Sequence, residues 1–388
     1  MILNILFITD GEMKILKGKS AEAIVSQAAE KHKNNIRSIK ERNEWKTSGT
    51  GAAFMGHQAY SMHQAESKYK ITGITPTRNE DEVLYSMNVD QTSGIYTKRV
   101  LENDASEGYL LRTNNIRIFE TDYNPKTKGI IASVSAISSP ETHLALFNYD
   151  NAQYDIITEG QSLDEYPAWS EFEDDVVYYN SCGIGRDKEN NISGYSERYI
   201  LRLNMKTGDL DEIISQKGYD LIKPKTDKNG NIYYIKRPIK AEKDESFKDF
   251  FLAPIRIIRG IFGWLDFFTQ RYSGESLKTG GHNPSKHKNE EELFIEGNLV
   301  KVQKNSDKKH TKDDEYSVII PKSWELCRLS PSGLHTVIKK GVLDFCIDDN
   351  SSIIYSDGNY IMKLNEGKDE KLTRAHIATN LCVFQENK

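Results

Sequence analysis

Two charged pairs and one further arginine are the residues best suited to bind a polar ligand. Asp164 and Glu165 stand side by side in one polar segment, Arg186 and Asp187 follow in a second, and Arg237 precedes a proline. An arginine guanidinium presents a planar set of N–H donors that matches a carboxylate or a phosphate. These residues therefore predict a binding face for a polar ligand or a partner. The alternative is that Arg186 pairs with a neighbouring acid and holds adjacent structural units together.

A second candidate surface lies in residues 247–271, the most distinctive segment of the chain. Pro254 suits the first turn of a helix, and the residues after it place arginines on one stripe beside a wide apolar arc. About 17 helical residues span ~25 Å, which is short for a membrane crossing. Arginines beside aromatic residues instead fit a membrane interface or the groove of a partner. We predict such contacts for Arg256, Ile257, Arg259, Ile261, Trp264 and Phe268. The alternative is that the helix packs on its own domain.

The remaining motifs do not predict catalysis or a cofactor. Residues 18–20 read Gly-Lys-Ser, but Met13 stands where a phosphate-binding loop needs its first glycine. No Gly-x-Ser-x-Gly motif marks a hydrolase nucleophile. Soft metal ligands do occur in one short segment, where their irregular spacing favours a packed loop: Met55, His57, Met62 and His63. The prediction is no catalytic residue, no metal and no cofactor.

A short apolar strand recurs along the chain and organises these segments. Copies lie at 5–8, 83–86, 130–133, 176–179, 232–235 and 353–356. Each copy after the first follows a turn rich in Asp, Asn, Gly or Pro. A strand that alternates apolar and polar residues lies behind each copy. Four antiparallel strands repeating every ~40–50 residues are typical of the blades of a β-propeller.

The whole chain divides into such blades, and the fold class that we predict is an all-β, six-bladed β-propeller closed by both termini. The blades are 69–116, 117–162, 163–218, 219–242 with 317–340, and 341–376, and residues 1–17 with the C-terminus form the last one. Five or seven blades are alternatives. Residues 18–68 add a helix over 21–44, capped by Ser20, and a crossing loop that passes beside the ring or plugs its channel. Residues 243–316 are an insertion in the fourth blade with the amphipathic helix and a small hairpin at 293–302, and 317–388 complete the fold.

One blade resembles a known family. Residues 167–170 read Pro-Ala-Trp-Ser, which resembles the inner strand of TolB-like (WD40-like) β-propellers. The family follows this strand with Pro-Asp-Gly, whereas residues 171–173 here read Glu-Phe-Glu. The resemblance covers roughly 69–240 and 317–384 and implies the propeller fold. Founding members of the family are periplasmic and bind protein partners.

Composition narrows the class of function. The chain has 388 residues and 52 Lys+Arg against 57 Asp+Glu, a net charge of −5 that argues against a nucleic-acid binder. No apolar run approaches the ~18 residues of a spanning helix. The first residues lack a basic export signal, and the four cysteines show no paired spacing, so we expect buried thiols and a cytoplasmic protein, peripheral at the membrane if the insertion helix binds lipid.

The function that we predict is a non-catalytic scaffold that binds a protein partner, with a membrane surface as a further contact of the insertion helix. In a propeller, residues 159–165, the loop 181–197 and the start of the insertion share one face, which we take as the binding face. The alternative is an enzyme, a hydrolase or lyase acting on an anionic small molecule at the channel mouth. Asp164 or Glu165 would then be the acid or base, and Arg186 would hold the substrate.

Overall fold

A computed structural model describes most of the chain. The described residues are 3–18, 20–47, 69–77, 81–89, 92–101, 107–151, 153–239, 290–295, 298–303, 320–365 and 367–385. Two predicted segments lie outside the described residues: the insertion helix with Arg256, Ile257, Arg259, Ile261, Trp264 and Phe268, and residues 48–68 of the crossing loop. The sequence predicts that the crossing loop starts at residue 45, but the helix before it continues to Thr47.

The chain begins with three strands and one helix: β1 (Leu3–Thr9), β2 (Glu12–Lys17), β3 (Ser20–Ile24) and α1 (Gln27–Thr47). Blade 1 contains β4 (Tyr69–Pro76), β5 (Glu82–Val89), β6 (Thr92–Arg99) and β7 (Gly108–Thr113). Blade 2 contains β8 (Ile116–Asn124), β9 (Gly129–Ala136), β10 (His143–Asn148) and β11 (Tyr154–Ile156). Blade 3 contains β12 (Ser162–Trp169), β13 (Val176–Arg186), β14 (Ile192–Tyr195), β15 (Tyr199–Asn204) and β16 (Leu210–Ile214).

The second half of the chain contains the remaining sheets. Blade 4 begins with β17 (Tyr219–Thr226) and β18 (Ile232–Pro238). A separate hairpin of β19 (Glu290–Ile295) and β20 (Asn298–Gln303) follows, where the sequence predicts one. Blade 4 then ends with β21 (Glu325–Leu329) and β22 (His335–Lys340). Blade 5 contains β23 (Asp344–Ile347), β24 (Ile353–Ser356), β25 (Tyr360–Asn365) and β26 (Lys368–Arg374). The last strand, β27 (Thr379–Gln385), pairs antiparallel with β1, and β27, β1, β2 and β3 form blade 6.

The described strands thus confirm the six-bladed propeller that the repeats predict. In each blade, neighbouring strands pair antiparallel from the inner to the outer edge. Strands joined by short turns pair with their neighbours along the chain. Each blade is therefore a local unit, and repeats in the sequence locate the blades.

The apolar core lies between the blades. Six clusters of buried side chains each join two neighbouring blades. Val83 and Tyr85 on one face of β5 pack against Met13 of blade 6, while Leu84 on the opposite face packs with Ile118 of blade 2. Both faces of each central strand are therefore covered, and these strands are nearly continuous apolar runs.

The predicted start of the helix is wrong. Residues 20–24 form the outer strand of blade 6, with Ala21 opposite Leu16, because pairing with β2 outweighs the weak local preference for helix. Ser26 is the N-cap: its Oγ accepts the N–H of Ala29 at 3.1 Å. The carboxylate of Glu107 in blade 1 accepts the N–H groups of residues 27 and 28 at 3.0 and 2.8 Å. The start of α1 is therefore fixed to the propeller.

Candidate functional site

The six inner strands β4, β8, β12, β17, β23 and β27 surround a central channel. Five of them carry a one-residue bulge at a similar depth. Aligning the inner strands through their pairing with the second strands gives one residue per blade at each level of the channel. The level of the bulges, which we call the waist layer, contains Gly73, Glu120, Tyr166, Lys223, Asp344 and Asn380.

The next level lies two residues further along each strand. We call it the wall layer: Thr75, Asp122, Ala168, Lys225, Cys346 and Cys382. All six of these residues line a cavity of about 420 Å³ that extends to the turns between the first and second strands. We call this end of the propeller the turn face, and the opposite end the hairpin face.

Three waist residues have left-handed backbone conformations, which are unusual for residues other than glycine. Tyr166, Lys223 and Asn380 have φ angles of 53°, 56° and 53°. A bulge turns the strand locally and redirects its side chains, here towards the channel. Such strain persists only where the surrounding structure holds it, and it concentrates at functional or closing contacts.

The waist layer is held by contacts between its own members. The buried Lys223 ammonium lies 2.5 Å from a carboxylate oxygen of Asp344 and 5.1 Å from the centre of the Tyr166 ring. The backbone N–H of Asn380 donates to the same Asp344 carboxylate at 3.0 Å, and its side-chain amide donates to the carbonyl of Thr72 at 3.4 Å. These contacts link blades 3, 4, 5, 6 and 1 in succession, so the waist layer joins the blades around the channel.

One carboxylate and one ammonium face the cavity from the wall layer. The Asp122 carboxylate accepts the backbone N–H groups of Trp169 at 2.7 Å and Tyr123 at 3.0 Å, and the hydroxyl of Thr75 at 3.2 Å. Loss of hydration raises the pKa of the Asp122 carboxyl, and these hydrogen bonds offset only part of that effect. A carboxyl with a raised pKa in a cavity is a candidate functional group.

The ammonium belongs to Lys225, which is half-buried. Its Nζ donates to two backbone carbonyls, Phe345 of blade 5 at 2.8 Å and Leu381 of blade 6 at 3.1 Å. In the described part of the chain no carboxylate lies within salt-bridge distance of this ammonium. Lys225 therefore holds a positive charge at the cavity with only neutral partners.

The thiols of the cavity are not suited to nucleophilic chemistry. Burial raises the pKa of the Cys346 thiol to about 12 and also raises that of Cys382, so both stay protonated near neutral pH. All four cysteines are free, with Cys182, Cys327 and Cys346 buried and Cys382 half-buried. Among the described residues no group of three or more His, Cys, Asp or Glu side chains has a metal-binding arrangement.

The predicted acidic pair lies in strand β12 rather than in a loop. Asp164 and Glu165 are only 3% and 2% exposed, and neither lines the cavity. Asp164 accepts the Ser181 hydroxyl at 2.6 Å, and Glu165 pairs with Arg198 at 3.1 Å. The loop expected at 159–165 is therefore wrong from Ser162 onwards, and pairing of β12 with β13 is the reason.

The predicted pair at 186 and 187 also differs from the expected loop, because β13 continues to Arg186. Arg186 forms an ion pair with Glu141 of blade 2 and donates to the carbonyl of Asn190 at 2.9 Å. This is the structural contact between adjacent units that the sequence offered as an alternative. Asp187 is exposed, and its carboxylate accepts the N–H groups of residues 189 and 191 within a tight turn.

Arg237 belongs to a buried chain of charges that we call the ionic ladder: Glu165, Arg198, Asp220 and Arg237. Arg198 contacts Glu165 at 3.1 Å and Asp220 at 3.4 Å, and Arg237 contacts Asp220 at 3.3 Å and stacks 5.3 Å from the Trp324 ring. Burial alone would raise the pKa of the Asp220 carboxyl, but the two guanidinium groups outweigh it and hold that pKa below its usual range. The structure thus brings Glu165 and Arg237 together through two residues, Arg198 and Asp220, that sequence reasoning missed.

The fold defines the class of protein: the chain is a six-bladed β-propeller. No protein-family model matches it, and no curated protein matches it. Similar solved structures include TolB from Acinetobacter baumannii, at 8% identity over 98% of this chain and 66% of that chain, with a TM-score of 0.49. A chain of the nidogen/laminin complex has 10% identity over 98% of both chains and a TM-score of 0.46. Oligogalacturonate lyase from Vibrio parahaemolyticus has 9% identity over 80% of this chain and 83% of that chain, with a TM-score of 0.38.

TolB structures thus occur among the similar proteins, as the resemblance of residues 167–170 implies. Identities this low carry no information on the ligand or the activity of the chain. Among the described residues, no helix has the length and apolar character needed to cross a lipid bilayer.

Proposed function

We propose that the chain is a non-catalytic binding propeller that docks a protein partner on its hairpin face. The observation that carries this proposal is the extension of blade 3. Strand β13 has 11 residues, against 4 to 8 in the second strands of the other blades. Its end pairs with β14 and forms a hairpin on the hairpin face. A strand that projects from its sheet can add a strand of a partner by backbone hydrogen bonds.

The extension is braced, which reduces the entropy lost on binding. Ile184 and Ile192 on its two strands pack with Leu163 and Cys182 at its base. The ion pair between Arg186 and Glu141 attaches it to blade 2. Among the described strands, β14 pairs only with β13, so its outer edge is available.

The predicted insertion helix fits the same face. Strand β18 runs towards the hairpin face and ends at Pro238, which supports an insertion that begins at this face. We propose that its helix adds a contact with the partner or with a membrane surface. We also propose that pairing of β27 with β1 closes the ring, so that blade 6 protects sheet edges that would otherwise be open.

A photo-crosslinking amino acid in place of the exposed Ser193 tests the docking face. The matched control places it at Asp150, which is exposed on the turn face. In cells of the native host, we expect a discrete crosslinked protein from position 193 and none from position 150. Equal crosslinking from both positions, or none from either, contradicts the proposal.

Removal of residues 245–275 tests the helix. We expect unchanged thermal unfolding and weaker crosslinking from position 193, whereas an unfolded protein would show that the helix belongs to the core.

An enzyme at the channel mouth is the second candidate, and one observation favours it. The cavity holds the Asp122 carboxyl, whose pKa is raised by burial, beside the positive charge of Lys225. The acid or base would then be Asp122, since Asp164 and Glu165 do not line the cavity. Conversion of any compound that raises the melting temperature, lost on Asp122→Asn, would support this candidate, whereas binding without conversion supports the non-catalytic proposal.

A further inference from the structure

The wall layer leaves room for a ligand. Four of its six residues are small: Thr75, Ala168, Cys346 and Cys382. A cavity of about 420 Å³ lies within the range of small-molecule sites, ~300–1,000 Å³. The two long, charged members, Asp122 and Lys225, are separated around the ring only by Ala168.

Each charged wall residue has one hydrogen-bonding position left. A lysine ammonium has three N–H donors, and Lys225 uses two of them on the carbonyls of residues 345 and 381. A carboxylate offers about four acceptor positions, and Asp122 uses three of them, two on Oδ1 and one on Oδ2. A ligand that supplies one acceptor and one donor would complete both groups.

The charges around the cavity select the type of ligand. A simple cation in the wall layer would be repelled by Lys225, and a simple anion by Asp122. An anion would also pass Asp227 and Asp348 at the turn face, whose carboxylates accept backbone N–H groups and have no cationic partner among the described residues. In the waist layer, Lys223 and Asp344 already neutralise each other, and Glu120 adds a carboxylate to the cavity lining that would also oppose an anion. A zwitterion can place a charge of opposite sign beside each of the two charged wall residues.

We infer that the wall layer binds a small zwitterion, whose carboxylate pairs with the Lys225 ammonium and whose ammonium pairs with the Asp122 carboxylate. This chemistry is shared by free α-amino acids and by short peptides with both ends free. The site is separate from the hairpin face, so it does not depend on the proposed partner.

Isothermal titration of the full chain with the twenty amino acids and with glycyl dipeptides tests the inference. We expect at least one zwitterion to bind, and preference for amino acids or dipeptides identifies the source. The amide of that ligand keeps only the ammonium, and its N-acetyl form keeps only the carboxylate. Each should bind at least tenfold more weakly. Absence of binding up to about 10 mM, or an amide or N-acetyl form that binds as tightly as the zwitterion, overturns the inference.

Charge-removing variants separate a binding role from a structural one. Asp122→Asn and Lys225→Met should each lower the affinity for the zwitterion at least tenfold. Lys225→Met removes the positive charge that opposes the cationic amide, so it should bind the amide more tightly than the wild type does. Asp122→Asn removes the negative charge that opposes the anionic N-acetyl form, so it should bind that form more tightly than the wild type does. Lys128→Met, which breaks an exposed ion pair with Asp150 away from the cavity, is the matched control and should change neither. If the two variants lose binding of the zwitterion and gain no affinity for the amide or the N-acetyl form, the inference is contradicted. Crosslinking at Ser193 in these variants should persist, which separates this test from that of the partner.

Discussion

At the scale of single residues, the ionic ladder shows how burial changes the contribution of an ion pair to stability. Arg198 is the central member and contacts carboxylates of blade 3 and blade 4. Neither Glu165 nor Asp220 can recover full hydration if this guanidinium is removed, since they are 2% and 7% exposed. A buried charge without its partner is costly, whereas exposed pairs contribute little.

We predict that Arg198→Met lowers the free energy of unfolding by about 3–5 kcal/mol, because it leaves two buried carboxylates with fewer partners. Guanidinium-induced unfolding measures this change. Lys126→Met, which breaks the exposed pair with Asp174, is the control and should leave unfolding nearly unchanged. If both variants unfold alike, the ladder does not stabilise the protein.

The Asp220 carboxyl also predicts a pH dependence. Its pKa in the folded protein is lowered, so it binds a proton more readily in the unfolded chain, where its pKa is about 3.9. The stability that it contributes is therefore present above that value and is lost as the pH falls through the lower folded pKa. We expect Asp220→Asn to be less stable at pH 7 and to lose less stability between about pH 5 and pH 3 than the wild type. Parallel stability–pH curves for the two proteins would contradict this.

At the scale of elements, the start of α1 rests on one serine. Ser26 Oγ accepts the N–H of Ala29 and also lies 2.8 Å from the hydroxyl of Tyr85 in blade 1. The cap therefore joins the helix to the propeller as well as starting it. Strand β3 occupies the residues just before it, so the helix has no room to begin earlier.

We predict that Ser26→Ala lowers the free energy of unfolding by about 1 kcal/mol, the usual effect of losing an N-cap. Faster hydrogen exchange at the first turn of α1 would locate the effect. Ser20→Ala is the matched control, because Ser20 is exposed in the edge strand β3 and caps nothing. An equal effect of the two substitutions would show that Ser26 is not the cap.

These two serines also show what sequence can predict. Local patterns favour either serine as a cap, and only pairing of β3 with β2 decides between them. The same holds for Asp164 and Glu165, which looked like loop residues until β12 paired with β13. Arg198 carries no local signal that it meets Asp220, 22 residues away. Patterns identify strands well, but the ends of strands depend on pairing within a blade, and a buried ion pair such as Arg198 with Asp220 depends on contact between blades.

At the scale of the whole molecule, the repeats predict the six blades because each blade is a local unit of the chain. The cavity was not predicted, because equivalent positions of different blades hold different residues. Asp122, Lys225 and Cys346 occupy the same level of the channel, yet no sequence motif relates them. They meet only when the blades assemble around the channel.

The most direct test of this account is a disulfide between the termini. Register pairs residue 3 with residue 385, and residue 4 with residue 384. The four native thiols have raised pKa values and will not compete for oxidation. On mild oxidation of the monomer, we predict that Leu3→Cys with Gln385→Cys forms an intramolecular disulfide, seen by mass spectrometry of its peptides, and that Leu3→Cys with Phe384→Cys does not. Failure of the first pair to link, or equal linking of both pairs, would contradict a propeller in which β1 and β27 share a blade.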